Sequence, residues 1–278
     1  MGITAAQVKE LRDRTQAPMG ECKKALEQTD GDIEAAIQVL RETGIAKAAG
    51  KASRAANEGI IVTKISEDRK TAAIIEVNCE TDFVAKNETF QAFAAELAEK
   101  AIDIADGGLA EAVKDDVAAK ISEIGENLII ARNTQYVVAD AGAVASYIHL
   151  GGKLGIILEF GCNNDANSGS QVLQDLGKEI CMHIAALDPK ALNRDGMPED
   201  EVNAEKALYA KQVEGKPAEI VDKILSGKLE KFYSQNVLLE QGFVKDPDQS
   251  ISDLLAAAGK ELDDEITIKR YERYQVGA

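Results

Sequence analysis

The feature that most constrains the fold is an internal repeat that begins at Gly59. A shift of 83 positions carries Gly59 onto Gly142 without a gap. The same shift pairs Ile65 with Ile148, Ile74 with Ile157, Glu76 with Glu159, Cys79 with Cys162, Asp82 with Asp165 and Leu97 with Ile180. Each copy starts with two apolar runs at hairpin distance, followed by a polar loop and an amphipathic helical pattern. The repeat therefore predicts two related α+β subdomains.

The two copies also end alike, but at a different offset. Residues 127–132 resemble residues 265–270, a shift of 138 positions, so the second copy holds 55 additional residues. Within that excess, two helical patterns flank Gly215-Lys216-Pro217, where glycine suits the end of one helix and proline the start of the next. We therefore expect an antiparallel coiled-coil hairpin at about 199–235, inserted into the second copy.

The first 44 residues predict three short helices. Thr4 and Gln7 form a capping-box pattern, Pro18 suits the first turn of a second helix, and Asp30 is placed to cap a third. Apolar residues recur at helical spacing in each segment, and Gly44 marks the end of the last stripe. Three such stripes can close one small core, so this segment is predicted to be a three-helix bundle.

The stretch that follows the bundle is rich in alanine and locally basic. It contains Lys47, Lys51 and Arg54, and it has no acidic residue before Glu58. This pattern indicates a linker or short helix that could face an acidic partner, or a solvated spacer. The predicted domains are thus the bundle at 1–44, the basic linker at 45–58, the first repeat at 59–140 and the second repeat at 141–278.

The charge balance limits the partners that a chain of 278 residues can bind. It has 32 Lys and Arg against 48 Asp and Glu, a formal charge of −16. Phosphates would repel such a chain, so direct binding of nucleic acid is not expected. No apolar run approaches the about 18 residues of a membrane span, and charged residues occupy the N-terminus where a signal peptide needs an apolar segment. We expect a cytoplasmic protein with no membrane partner.

The residues needed for catalysis, metal binding or nucleotide binding are scarce. The four cysteines form no CxxC pair, and only two histidines are present. The Gly-Lys pairs at 50–51, 152–153 and 227–228 lack the remainder of a phosphate-binding P-loop. Among the many carboxylates, no pair stands out as an acid–base couple of a hydrolase. We therefore expect no enzyme, no metal site, no cofactor and no nucleotide bound by this chain.

The loop after Cys79 carries the strongest functional signal. It places Phe83 and Val84 in an otherwise polar connection between a strand and a helix. The second copy has Asp165-Ala166-Asn167-Ser168 at the equivalent place, so the scaffold does not require an aromatic residue there. From the residues alone, Phe83 either fills its own core or contacts a partner.

This loop and three other runs together resemble the bacterial translation elongation factor Ts family. The other runs are Cys22-Lys23-Lys24-Ala25-Leu26, Asp30-Gly31-Asp32 and Ile124-Gly125-Glu126-Asn127, and the similarity extends over essentially the whole chain. The resemblance implies a guanine-nucleotide exchange factor that binds elongation factor Tu and promotes GDP release by disturbing the magnesium and phosphate site. It also implies that the first bundle is ubiquitin-associated-like and docks on the GTPase domain of that partner.

The resemblance further implies the residues that contact the partner, with Phe83 as the wedge beside the magnesium site. These are Met19, Lys23, Thr81, Asp82, Phe83, Val84, Ile124, Gly125, Glu126, Asn127 and His149. Asp82 is expected to fix the loop, either by capping the next turn or by bonding to the partner. Met19 also fits bundle core, and the run from Ile124 also fits an ordinary turn.

Two departures from the family pattern qualify these expectations. The family often has Met-Met where this chain has Met19-Gly20, which weakens an apolar contact. Some members have a further C-terminal helix, for which no contact is predicted here. The alternative function is a non-catalytic adaptor without exchange activity, in which the bundle binds a partner and nucleotide is unaffected.

Overall fold

A computed structural model describes residues 2–212 and 218–278, which form a mixed α+β structure. The helices are α1 (Ala5–Thr15), α2 (Met19–Gln28), α3 (Ile33–Lys51), α4 (Asp82–Ala85), α5 (Glu88–Ala101), α6 (Leu109–Ala112), α7 (Lys114–Ile124), α8 (Gln171–Leu187), α9 (Glu199–Gln212), α10 (Ala218–Asn236) and α11 (Ile251–Leu262). The strands are β1 (Glu58–Ile65), β2 (Thr71–Cys79), β3 (Ile129–Val137), β4 (Gly142–His149), β5 (Leu154–Gly161), β6 (Gly242–Phe243), β7 (Asp246–Ser250) and β8 (Thr267–Gln275). None of the helices in these ranges is long and apolar enough to cross a membrane.

Helices α1 to α3 close a small apolar core at the N-terminus. The capping box predicted at Thr4 is confirmed, because Thr4 and Gln7 satisfy each other's backbone N–H groups. The cap of α3 is Asp32 and not Asp30, whose positive φ of 51° places it in the preceding turn. The core between these helices is lined by Val8, Leu11, Cys22, Ala25, Leu26 and Ala36.

The prediction that Gly44 ends the third helix is wrong, because α3 continues to Lys51. Gly44 is buried where α3 packs along α7. A Cβ at this position would lie 3.6 Å from the main-chain oxygen of Ala118, so glycine here serves close packing between two helices. The helix therefore includes half of the stretch that the sequence indicated as a linker.

Each repeat contributes one three-stranded antiparallel sheet, and the two-strand start predicted for each copy is confirmed. The strand orders are β1-β2-β3 and β4-β5-β8. The register shifts at equivalent bulges, after Glu76 in β2 and after Glu159 in β5. Each of these largely buried carboxylates accepts a hydrogen bond from an arginine of the closing strand, Arg132 at 2.8 Å and Arg270 at 2.7 Å. The offset of 138 that relates these arginines thus reflects equivalent places in the two sheets.

The two sheets face each other across an approximate twofold relation. Thr63 and Ser146, which the repeat makes equivalent, meet with their hydroxyl oxygens 3.3 Å apart. Arg132 stacks over the ring of Tyr274 at 4.0 Å, and its equivalent Arg270 stacks over Tyr136 at the same distance. The apolar side chains buried between the sheets are Ile61, Ala72, Ile74, Tyr136, Val138, Val144, Ile157 and Tyr274. Each sheet is therefore covered by its own helices on one face and by the other repeat on the opposite face.

The additional residues of the second copy contain the helices α9 and α10, which contact each other. The predicted turn at 215–217 lies outside the described residues. Close to the base of the pair, Met197, Val202 and Phe232 are buried in a small cluster. Arg194 contacts Glu240 through its Nε atom at 2.6 Å and also pairs with Glu230 of α10. Packing and ion pairs thus hold the base of the helical pair against the second repeat.

His183 of α8 is completely buried and supports the second repeat. Its Nδ1 accepts a hydrogen bond from the backbone N–H of Val244 at 3.2 Å. Its Nε2 therefore carries the proton and donates it to the Gln241 side chain at 3.0 Å. Burial lowers the pKa of His183, so the folded protein keeps this ring neutral.

We expect His183 to make folding stability depend on pH. Below the ordinary histidine pKa of about 6.5, the unfolded chain takes up a proton that the folded chain does not, so stability falls as pH decreases. Denaturant titrations should show a loss of about 1 kcal/mol between pH 7 and pH 5.5. His183→Gln should reduce that slope. Equal slopes for wild type and His183→Gln would contradict the assignment.

Candidate functional site

Phe83 lies on the surface, on the single helical turn of α4. The hydroxyl of Thr81 caps this turn by accepting a hydrogen bond from the N–H of Val84 at 3.3 Å. Ala85 is buried and Val84 is partly buried against the core of the first repeat, whereas Phe83 is 81% exposed. An exposed phenylalanine contributes little to the stability of its own fold, and the possibility that Phe83 fills its own core is excluded by this exposure.

Asp82 does not cap the turn. Its carboxylate instead pairs with Lys86, four residues later, at 2.7 Å. The hydrogen bond from Lys86 lowers the pKa of Asp82, so the carboxylate is charged at neutral pH. Both side chains are well exposed, so this pair adds little to stability.

Glu126 joins the two loops that the sequence singled out. One oxygen of its carboxylate accepts hydrogen bonds from the backbone N–H groups of Glu80 at 3.0 Å and Thr81 at 3.1 Å. The other oxygen accepts the Thr81 hydroxyl at 2.7 Å. In return, the Glu80 carboxylate accepts the N–H of Asn127 at 2.6 Å. Glu80 and Glu126 therefore clasp each other's loops, and we call this set of hydrogen bonds the carboxylate clasp.

The other residues of the second loop serve the chain itself. Gly125 ends α7 with a φ of 90°, a conformation that favours glycine. Ile124 packs partly on the core of the first repeat. Asn127 is 2% exposed, and its side-chain amide donates to the carbonyl of Arg54 at 2.8 Å. The exposed surface of this loop is thus small.

The basic stretch also acts within the chain. Lys47 pairs with Glu21 of α2, and Lys51 donates to the carbonyl of Gly125. Arg54 lies 3.4 Å from the Glu80 carboxylate. These cations are therefore already engaged by their own chain, which argues against the first of the two alternatives, a contact with an acidic partner.

His149 is exposed at the end of β4, at the start of the turn that leads to β5. Its Nδ1 lies 2.9 Å from the hydroxyl of Tyr147, and the two rings stack with their centres 5.7 Å apart. The next residue, Leu150, is 70% exposed and has a φ of 50°, which is strained for a residue with a Cβ. The turn thus presents an aliphatic side chain to solvent at a cost in backbone energy.

The turn and the Phe83 loop lie at the same end of the molecule. Gly152 packs so closely on β1 that a Cβ would come within 3.1 Å of the Ile60 side chain. Lys153 pairs with Glu58, the first residue of β1. Glu58 is in register with Cys79, two residues before the Thr81 cap. The start of β1 therefore brings the two exposed features together.

Met19 and Lys23 lie on the exposed surface of α2. Met19 is 56% exposed, so it is not part of the bundle core, and it lines a shallow groove of 450 Å³ with Ile3 and Val8. Lys23 is exposed and lies 3.7 Å from Glu27. The same helix reaches α7 through Glu21, whose carboxylate accepts the Ser122 hydroxyl at 3.4 Å. The bundle is thus attached to the helix that leads into the carboxylate clasp.

Comparison of the two copies separates the scaffold from the added features. Asp264, which the offset of 138 makes equivalent to Glu126, accepts the N–H groups of Asn163 at 2.9 Å and Asn164 at 3.0 Å. Hydrogen bonds from Asn167 and Asn163 lower the pKa of Asp264 to about 2. The second copy therefore has its own carboxylate brace, but its loop carries Ala166 in place of Phe83.

The same comparison identifies Leu150, a residue that the sequence analysis missed. Its equivalent in the β1–β2 turn is Glu67, so the turn does not require an aliphatic side chain. The repeat already contained this signal, because the second copy has an apolar residue at a turn position where the first copy has a charged one. Phe83 and Leu150 thus both break the similarity of the copies, and both are exposed at one end.

The polar groups at this end bond mostly to one another, and the apolar groups are exposed. Among the described residues, no group of three or more His, Cys, Asp or Glu side chains could hold a metal ion. The thiol of Cys79 is buried, which raises its pKa to about 11 and disfavours a nucleophilic thiolate. The arrangement therefore suits binding to another macromolecule better than bond-making chemistry.

Fold and site together define a two-copy α+β protein with a loop that exposes an aromatic ring. The family model for Elongation factor TS matches residues 80–278. The chain is 44% identical over 287 residues to Elongation factor Ts of a Clostridium botulinum strain, with 99% of this chain and 93% of that protein covered. It is 42% identical over 288 residues to Elongation factor Ts of a Nitratiruptor species, with 100% and 94% covered. The chain belongs to the elongation factor Ts family and is therefore an exchange factor of translation elongation.

Proposed function

We propose that this chain binds elongation factor Tu and accelerates the release of its GDP by disturbing the magnesium and phosphate site. The observation that carries the proposal is the 81% exposure of Phe83 on a loop that the carboxylate clasp holds in place. The second copy shows that the scaffold itself has no need of this aromatic ring. Its retention on the surface therefore points to a partner.

Exchange requires differential binding, not chemistry by this chain. A factor that prefers the nucleotide-free GTPase weakens GDP binding by the same factor, as linkage demands. Converting a mostly loaded GTPase into a mostly empty one takes on the order of 5 kcal/mol of differential affinity. A GTPase holds GDP through its phosphate loop and a bound Mg²⁺. Displacing the elements that carry those ligands would supply part of that energy.

Phe83 is the proposed wedge. Burying its ring in a crevice of the partner contributes about 2 to 3 kcal/mol. Because Thr81 and Glu126 fix the turn beneath it, the ring enters the crevice with little loss of conformational entropy. Asp82 and Val84 flank the wedge, and the Asp82 side chain is 45% exposed beside its pair with Lys86, where partner backbone can reach it.

The proposed contact surface extends from the wedge in two directions. His149 and its turn lie beside the Phe83 loop, because both are attached to the start of β1. Met19 and Lys23 provide a second patch on the bundle, which is ubiquitin-associated-like in this proposal and docks on the GTPase domain. The helices α9 and α10 form a coiled-coil arm, which is not required for exchange. Such a factor works in the cytoplasm, where translation takes place.

The alternative is an adaptor that binds a partner without changing its nucleotide affinity. An adaptor could use the bundle patch alone, and Phe83 would then be dispensable. The decisive experiment mixes the purified chain with elongation factor Tu that carries fluorescent GDP and measures the rate of release. A release rate that rises with concentration and reaches a plateau supports exchange. Binding without acceleration of release supports the adaptor, and no binding at all refutes both.

We expect Leu150→Gly to separate partner binding from stability. Glycine adopts positive φ without strain, so the variant should be as stable as wild type or more stable by up to about 1 kcal/mol. Loss of the exposed leucine should weaken binding to elongation factor Tu by roughly tenfold, the equivalent of about 1.4 kcal/mol. Calorimetric titration measures the affinity, and Glu67→Gly in the equivalent turn is the control. If Leu150→Gly binds elongation factor Tu as tightly as wild type, Leu150 is not part of the proposed contact surface.

A further inference from the structure

Phe83 stands on a helix that is too short to be stable alone. The turn α4 spans four residues, and a single helical turn costs more conformational entropy than its few hydrogen bonds return. Yet a wedge is useful only if its ring points in one direction before the partner arrives. The orientation of Phe83 must therefore come from contacts outside the turn.

Those contacts converge on the carboxylate of Glu126. It accepts the two backbone N–H groups that lead into the turn, and it accepts the hydroxyl of Thr81. The Thr81 oxygen is also the acceptor for the N–H of Val84, so one hydroxyl connects Glu126 to the cap of α4. Both oxygens of the carboxylate thus accept hydrogen bonds from their own chain.

We propose that Glu126 is a positioning residue that acts through Phe83, and that it is not a contact residue for the partner. This inference rests on the proposed exchange function. It reassigns the carboxylate from the docking surface to the support beneath the wedge. Thr81 is part of the same support, because it transmits the position of Glu126 to the turn.

The second copy supplies a matched control. Asp264 braces the equivalent backbone N–H groups of Asn163 and Asn164 and also accepts the side chain of Asn167 at 2.8 Å. The loop that it holds carries Ala166, not an aromatic ring. A substitution at Asp264 therefore removes the same kind of brace at a place where no wedge depends on it.

The test is a double-mutant cycle on GDP release from elongation factor Tu. Glu126→Gln keeps the shape of the side chain but removes its charge and leaves one acceptor oxygen, which can serve either the two backbone N–H groups or the Thr81 hydroxyl but not both. We expect Glu126→Gln to lower the stimulation of release by about tenfold in the wild-type background, and by less than about twofold in the Phe83→Ala background. Asp264→Asn should change the stimulation by less than about twofold when it is added to wild type and when it is added to Phe83→Ala.

A second measurement does not depend on exchange activity. Amide hydrogen exchange across residues 80–86 should be faster in Glu126→Gln than in wild type, because the clasp that protects the loop is broken. Thr81→Val should have the same effect, and Thr81→Ser should restore protection. The latter pair also covers the case in which Glu126→Gln does not fold.

The outcomes distinguish this inference from the proposed function. If Glu126→Gln lowers release equally with and without Phe83, Glu126 contacts the partner directly and the inference is wrong. It is also wrong if neither release nor amide exchange changes in Glu126→Gln. If wild type fails to accelerate release, the proposed function fails, while faster amide exchange in Glu126→Gln would still show the brace.

Discussion

Phe83→Ala should abolish most of the stimulation of GDP release while leaving the protein folded. The side chain is 81% exposed, so its truncation should change the free energy of unfolding by less than about 1 kcal/mol. Loss of the buried ring in the complex removes about 2 to 3 kcal/mol, which corresponds to a roughly 30- to 150-fold smaller stimulation. Fluorescent-GDP release and denaturant unfolding on the same preparation measure the two effects.

The second copy again provides the control for Phe83→Ala. Ala166→Phe adds an aromatic ring at the equivalent loop and should not increase exchange, since that loop lies on the other repeat and lacks the neighbouring His149 turn. A Phe83→Leu variant should retain part of the activity because it keeps apolar volume. A normal release rate for Phe83→Ala would eliminate the wedge.

Removal of residues 1–44 should reduce the affinity for elongation factor Tu by at least about tenfold, because the exposed patch at Met19 and Lys23 is lost. The truncation leaves residues 45–51, so Lys51 can still donate to the carbonyl of Gly125 beside the clasp. The repeats should therefore fold, with a loss of about 1 to 2 kcal/mol from the contacts of α3 with α7. Calorimetry and denaturant unfolding measure these quantities.

A point variant separates the bundle surface from bundle packing. Lys23→Glu reverses an exposed charge and should weaken binding without changing the unfolding midpoint, whereas Lys9→Glu on α1 should have no effect on binding. If the truncated chain binds as tightly as wild type, the docking role of the bundle is wrong. A collapse of the unfolding midpoint on truncation would instead show that the repeats need the bundle to fold.

The polar groups around Phe83 are mostly engaged within the chain. Asp82 pairs with Lys86, and Glu80 and Glu126 bond to backbone N–H groups, so the charges beside Phe83 are already neutralised or hydrogen-bonded. When a partner covers such groups, their hydrogen bonds within the chain compensate for the loss of contact with water. The binding energy can therefore come from the apolar side chains that remain exposed.

Local patterns and the repeat were sufficient to predict several parts of this protein. The capping box at Thr4 and the hairpin that starts each copy depend on residues close together in sequence, so their physics is readable there. Ala166, the equivalent residue of the second copy, showed that the scaffold needs no aromatic side chain at this place. The structure exposes the Phe83 ring to solvent. The sequence alone thus determined the copies, their hairpins and the residue most worth testing.

Only the tertiary structure decided which residues act on one another across long separations. Gly44 continues a helix because a second helix packs against it, and that packing outweighs the local tendency of glycine to end helices. Asn127 points inward and Glu126 holds the loop at Thr81, although nothing near them in sequence indicates either partner. Leu150 lies at the same end of the molecule as Phe83 because Gly152, two residues later, packs on β1. These outcomes depend on contacts that form when the sheets and helices assemble, and local periodicity carries no record of them.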